Sequence, residues 1–247
     1  MKLFNSIQKY LFPGLVLLLM IFIPLYPKLP LIDVKNTWVY VRVEDFLVLA
    51  VLFVWFVMLV KKKVTLKSPL TIPIMAFWIV GALVTVHGVV IIFPQIKDVF
   101  PNVALLEYLR HIEYLSLFFV AFAAVKSKKF VFASIWTVVL TLLGVIFYGF
   151  GQKYLAFPAY LTMNEEYAKG IPILISPLNR ISSTFAGHYD LAAYLVLVIP
   201  ILVSLLFGFK NIFIKIFLLV TSVLGLVLMF LTVSRVSFFA LAVALLV

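Results

Sequence analysis

The feature that most constrains this chain is a succession of apolar runs, each near the length of a lipid bilayer, separated by short polar connections. A helix needs about 20 mostly apolar residues to cross the ~30 Å hydrocarbon core. In lipid the backbone must satisfy its own hydrogen bonds, which a helix does within one segment. Such runs lie near 11–27, 46–60, 70–93, 104–125, 130–150, 189–208 and 212–232, and another begins after Arg235 over 236–247. The second is short, and Val41 and Val43 extend it. The expectation is an all-α, polytopic transmembrane helical bundle, a single membrane domain over 1–247 with about eight spans. Composition agrees: 66% of residues are hydrophobic and 12% charged, against about 25% charged in soluble domains. The run 236–247 covers only about 18 Å as helix, so the last span is truncated and the sequence is expected to be the front part of a longer protein. Lys2 and Lys9 imitate the basic start of a secretory signal, but no small-residue cleavage site follows the first run, which favours an uncleaved span.

A net charge of +11 invites a nucleic-acid reading, but its distribution argues against one. Lys2 and Lys9 before the first run, and Lys61, Lys62, Lys63, Lys67, Lys126, Lys128, Lys129, Lys210 and Lys215 in alternate connections (61–68, 126–129, 210–215), lie in segments that hold no acid. All nine acids lie in the other connections (28–45, 94–103, 151–188) or at helix ends beside them, matched there by basic residues. On the eight-span path the whole +11 therefore gathers on one face. That is the positive-inside pattern, which predicts a cytoplasmic N-terminus and an inner-membrane, multi-pass location. With no cysteine, disulfides and thiolate metal sites are excluded. The connection 151–188 is the one sizeable water-exposed segment, interrupted by turn formers such as Pro158, Gly170, Pro172 and Pro177. A short surface helix is expected within 160–169.

Ionisable groups near the membrane are costly and tend to be functional. Three arginines are expected at or just below the outer surface: Arg110 early in the fourth run, Arg180 before the sixth, and Arg235 at the turn into the eighth. Arginine stays charged and carries a planar fork of donors suited to phosphate oxygens. Converging, the three would hold an anionic headgroup, with His188 and Asp190 beside Arg180. Each residue also has a structural reading. Arg110 stands between Glu107 and Glu113 at helical spacing and suits a self-neutralised ion pair. Arg180 suits an ordinary loop, and Arg235 an interfacial anchor. His188 and Asp190 suit the N-terminus of the sixth span. His111 is expected to pack inside, and Glu44 with Asp45 to neutralise Arg42 or cap a helix rather than bind a divalent ion. No metal-ligand spacing and no phosphate-cradling glycine loop is present, so neither metal nor cofactor is expected.

The stretch Arg180-Ile181-Ser182-Ser183-Thr184-Phe185-Ala186-Gly187-His188-Tyr189-Asp190, leading into Leu191-Ala192 and an apolar run with Pro200, resembles the motif opening the O-antigen ligase/polymerase domain. Thr232-Val233-Ser234-Arg235 is similar to the Ser-Arg signature one hairpin later. Gln152, and Leu109-Arg110 with Tyr114, also fit that family. The resemblance covers essentially the whole chain, most firmly 152–239. It implies a membrane glycosyltransferase that ligates or polymerises glycan from an undecaprenyl-pyrophosphate-linked donor at the outer face of the cytoplasmic membrane. The acceptor would be a glycan or lipid, with no nucleotide sugar, metal or nucleic acid involved. Arg180, Arg235 and Arg110, with His188 and Asp190, would contact the donor. The family's motif usually carries Pro-Asn or a similar pair where Tyr189-Asp190 stands. Family members also have a second large outer loop with a histidine beyond the eighth span, so this stretch is expected to bind part of the donor without catalysing. The rival expectation is a transporter or flippase for a lipid-linked glycan or anionic solute. It calls for polar residues at mid-membrane on several spans, where this sequence offers only His87 and scattered Ser and Thr.

Overall fold

The computed structural model describes residues 11–37, 40–162, 164–176 and 179–246. The elements run α1 (Phe12–Leu25), α2 (Val43–Val60), α3 (Thr71–His87) continued by a π turn (Gly88–Ile92) and a 3-10 turn (Phe93–Gln95), α4 (Pro101–Ala124), α5 (Lys128–Tyr154), α6 (Glu165–Ala168), α7 (His188–Gly208), α8 (Ile212–Thr232) and α9 (Arg235–Leu246). Between α5 and α7, β1 (Pro158–Ala159) pairs antiparallel with β2 (Ile173–Leu174), Pro158 opposite Leu174. The architecture is all-α apart from this ribbon, and the chain is a multi-pass membrane protein.

The expected count of about eight spans is corrected to five. Among the described residues, only Val43–Val60, Thr71–Gln95, Lys128–Tyr154, His188–Gly208 and Ile212–Thr232 are both long and apolar enough to cross a membrane. The first run yields the 14-residue α1, about 21 Å of helix, and the last the 12-residue α9. Both fall short of a ~30 Å core. The fourth run does form a long helix, α4, but Glu107, Arg110 and Glu113 sit in its first half and at its middle, and each charge in a span is expensive. The cytoplasmic N-terminus was expected of residues 1–10, which lie outside those described.

The described residues form two compact units. The first takes in 11–16, Lys35–Thr37 and Asp45–Val131. Its core is aromatic: Trp55 of α2 stacks on Phe119 of α4 at 6.3 Å between ring centres, and Trp78 of α3 meets the same ring at 6.2 Å. The hydroxyl of Tyr108 donates to the carbonyl of Trp78 at 2.9 Å and ties α3 to α4. Helix α2 ends where Lys62 turns left-handed, its φ at 56°, and Lys63 N–H reaches back to the carbonyl of Met58. That closure satisfies carbonyls that a helix end otherwise leaves open.

The second unit takes in Leu17–Val34, 40–44 and 132–246. Helices α7 and α8 form a hairpin joined by 209–211, and α9 packs on α7. Leu191, Leu195, Ile199 and Leu202 of α7 recur at helical spacing and are buried with Leu218, Leu228 and Met229 of α8 and Val139, Leu142 and Val145 of α5. Small residues set the spacing. A Cβ on Gly149 of α5 would come within 2.5 Å of Leu228, so α5 and α8 approach at a distance only glycine permits. The surface helix expected within 160–169 is the single turn α6, started by the Asn164 side chain accepting from Tyr167 N–H at 3.0 Å.

Candidate functional site

The loop 179–187 enters α7 beside the far end of its hairpin partner. Ile181 N–H donates to the carbonyl of Leu231 at 3.1 Å, so the residues before α7 and those closing α8 lie together at one end of the hairpin. Arg180 therefore emerges at the end where the chain turns into α9 and Arg235.

A buried polar scaffold holds this loop. Gln152 lies near the end of α5 and is 1% exposed. Its Oε1 accepts from Ser183 N–H at 2.8 Å, and its Nε2 donates to the Ser183 carbonyl at 2.9 Å and to that of Pro158 at 3.2 Å. The Ser183 hydroxyl donates to the carbonyl of Val145 at 2.7 Å. Tyr148 donates to Pro158 as well, at 2.8 Å, and Thr184 Oγ1 bonds the carbonyl of Pro24. Ser183 itself has φ at 52°, a left-handed conformation that costs a non-glycine residue about 1–3 kcal/mol and persists only where surroundings over-determine it. Here the Gln152 amide fixes both of its peptide groups. Ser182, beside it, is 1% exposed, and its hydroxyl has no hydrogen-bond partner among the described residues.

On this scaffold Arg180 Nη1 lies 2.9 Å from His188 Nε2. A guanidinium only donates, so Nε2 accepts and the ring's proton sits on Nδ1. His188 is buried at the first position of α7, against the tilted ring of Tyr189 with ring centres 4.0 Å apart. Its imidazole orients Arg180 without neutralising it. Gly187, not His188 or Asp190, occupies the N-cap, and no side chain caps that helix. Asp190 lies exposed in its first turn, where a carboxylate complements the helix dipole. The capping expected of His188 and Asp190 is not made.

Arg235 opens α9, exposed, with no acid in the first turn. Val233 makes the turn into it with φ at 56°, an outlying conformation for a β-branched residue. Ser234 and Ser237 share a hydrogen bond at 2.7 Å across the helix start. A cation at a helix N-terminus opposes the dipole, so nothing local to α9 favours arginine there. Among the described residues neither Arg180 nor Arg235 pairs with a carboxylate. Two uncompensated guanidinium groups at one end of one hairpin can bind an anion bidentately.

Arg110 belongs to the other unit, half-buried on α4. Near it His111 is exposed rather than packed inside: its Nδ1 lies 2.8 Å from the Glu107 carbonyl, and its ring centre 6.0 Å from that of Phe77. His87 closes α3 on an exposed position. Glu44 is drawn between two cations, paired with Lys28 and with Arg42, the latter at 3.2 Å, as neutralisation of Arg42 requires. No group of three or more His, Asp or Glu able to hold a metal occurs among the described residues.

No family model matches the chain, and no curated protein or solved structure matches it. The resemblance drawn from the sequence therefore rests on the residues that carry it alone.

Two residues of this scaffold escape a reading by charge. Gln152 is neutral and Ser183 is one of many serines. The available signal for Gln152 was a lone amide closing an otherwise apolar run, which in a membrane helix implies a partner.

Proposed function

We propose that this protein is a membrane glycosyltransferase of the O-antigen ligase type, acting on a glycan carried by undecaprenyl pyrophosphate at the outer face of the cytoplasmic membrane. Support comes from one observation above the rest: Arg180, held by His188, and Arg235 emerge at the same end of the α7–α8 hairpin with no carboxylate to neutralise them. Transfer of a glycan from a lipid pyrophosphate builds negative charge on the leaving phosphate. Preorganised donors aimed at that charge are the most direct way to stabilise it. The reaction needs neither a metal nor a nucleotide, which agrees with residues that supply arginine rather than carboxylates.

The test is transfer from an undecaprenyl-pyrophosphate glycan in membranes of cells carrying each variant at the native locus. Arg180→Ala and Arg235→Ala are each expected to slow transfer roughly 100- to 1000-fold, about 3–4 kcal/mol, as for loss of an oxyanion donor. The double variant should be little worse than either single, because both act on one group. Lysine at either position keeps charge but loses the fork and should retain part of the activity. Near-normal transfer by either alanine variant at normal protein level removes that arginine from the site. Unimpaired transfer with loss of glycan-lipid movement across the membrane would replace this reading by transport.

A further inference from the structure

The first unit carries a site of a different kind along the seam between α3 and α4. Gly81 lets the Tyr108 ring lie flat against α3, since a Cβ there would meet the ring at 3.1 Å. Beside that contact the seam opens into a cavity of about 370 Å³, reaching Thr85, Gly88 and Phe93 on one wall and Glu107 and His111 on the other. The change from α-helix to a π turn at Gly88 and a 3-10 turn at Phe93 brings the Phe93 ring to within 3.9 Å of where a Cβ on Gly88 would stand. A second cavity of about 440 Å³ shares Phe77 and His111 with the first and continues to Ile74, Leu70 and Leu115, presenting apolar surface only. From Leu70 to Gly88 the seam runs about 27 Å at 1.5 Å per residue, close to the ~30 Å of a hydrocarbon core.

The seam is polar at one end and apolar at the other. Glu107 lies about 9 Å along α4 from Pro101, near the turn that links α3 to α4, and hence toward the headgroup level. Its side chain is exposed, with His111 Nδ1 3.9 Å away. A carboxylate in that position repels a phosphate-only headgroup and attracts a donor cation. We propose that this seam binds one phospholipid with a primary-amine headgroup, its ammonium on Glu107 and one acyl chain laid past Gly81 and Phe77 toward Ile74. The choice of head follows from charge. An ammonium donates to Glu107 where a quaternary choline cannot, and a glycerol head brings no cation. This site is independent of the arginines of the second unit.

The experiment is native mass spectrometry of the purified, delipidated full chain offered dioleoyl phosphatidylethanolamine, phosphatidylcholine or phosphatidylglycerol. One ethanolamine lipid is expected to remain bound, about tenfold over the other two, the scale of a charge-assisted hydrogen bond. Glu107→Gln should bring the three lipids to parity. Thr85→Phe, which fills the cavity and leaves Glu107 in place, should remove the retained lipid altogether, so a folding defect in one variant leaves the other to decide. Equal retention by the wild type, a preference for phosphatidylglycerol, or an ethanolamine preference unchanged in Glu107→Gln would each overturn the proposal. So would a lipid-free dimer in the same spectra, which would assign the seam to a second copy of the chain.

Discussion

The side-chain amide of Gln152 pairs with both peptide groups of Ser183, accepting from its N–H at 2.8 Å and donating to its carbonyl at 2.9 Å. One residue of α5 thereby acts as a strand partner to one residue of the arginine loop. The pairing solves two problems together. A lone amide near the end of an apolar span is costly unless its hydrogen bonds are made. A left-handed serine inside a buried loop is costly unless its backbone is held.

Replacing Gln152 by Ala should therefore destabilise the protein by about 2–5 kcal/mol, since it strands buried groups that each cost about 1–3 kcal/mol when unpaired. In Gln152→Glu burial favours the neutral acid, which keeps the acceptor for Ser183 N–H and one donor in place of two, so it should fall between. Thermal unfolding of the detergent-solubilised variants checks this. If Ser183 is the route by which Gln152 supports Arg180, donor binding should weaken in Gln152→Glu even at temperatures where the variant is fully folded. Unchanged unfolding in Gln152→Ala would dismiss the clamp.

The contact of Arg180 with His188 makes a separate prediction. His188 offers Arg180 an acceptor and no charge, so its loss frees the guanidinium without removing it. His188→Ala should slow glycan transfer by about tenfold, the worth of one hydrogen bond to a charged group, and so by less than Arg180→Ala. His188→Gln restores an acceptor near the same place and should recover part of that loss. A His188→Ala variant as damaged as Arg180→Ala would mean that the imidazole does more than orient the arginine.

What the sequence made legible follows from range. Helix positions come from local apolar periodicity, and the run read as 212–232 is α8, Ile212–Thr232. The number of spans was misread because an apolar run says nothing of where a helix stops. Helix α1 ends at Leu25, just after Pro24, and α4 keeps its three charges because a helix can be long without being apolar throughout. The β1–β2 ribbon was invisible, since two-residue strands carry no alternation and their pairing is non-local. At the site, Arg180, His188 and Arg235 stood out by type and order. The clamp on the Arg180 loop did not, because it depends on Ser183 turning left-handed without a glycine to announce it, and on a glutamine 31 positions earlier in the chain.

Glu44 offers a test of buried electrostatics. Lys28 is 7% exposed, and its ammonium bonds both the Glu44 carboxylate and the carbonyl of Ile23. Arg42 approaches the other carboxylate oxygen at 3.2 Å. Glu44→Gln takes this carboxylate's charge from Lys28 and Arg42 together. Breaking one side of a buried pair typically costs about 3–5 kcal/mol, and a loss of that size is expected in thermal unfolding. Adding Lys28→Met to Glu44→Gln should recover much of it, because the buried ammonium left without its carboxylate is then gone. A double variant no more stable than the single would show that Glu44 acts elsewhere.

The orientation of the α7–α8 hairpin is the last prediction, and it decides which face the arginines serve. At one end the chain turns through 209–211, which holds Lys210 and is followed by Lys215, with no acid nearby. Phe132 of α5 meets Phe209 there at 6.2 Å between ring centres, and α5 itself opens with Lys128 and Lys129. At the other end lie the connection 155–187 and Arg180, where Glu165, Glu166 and Asp190 accompany the basic residues. Lysine and arginine in short connections remain on the cytoplasmic side, and acids weigh little in that bias. The lysine end of this hairpin is thus expected inside and the arginine end outside, whatever the fate of the shorter apolar helices. The chain has no cysteine, so single cysteines at positions 210 and 166 report without background. A membrane-impermeant maleimide applied to intact cells should label position 166 at once and position 210 only after permeabilisation. Labelling in the reverse order would put Arg180 and Arg235 on the cytoplasmic side, out of reach of a glycan donor displayed at the outer surface, and the transferase reading would go with it.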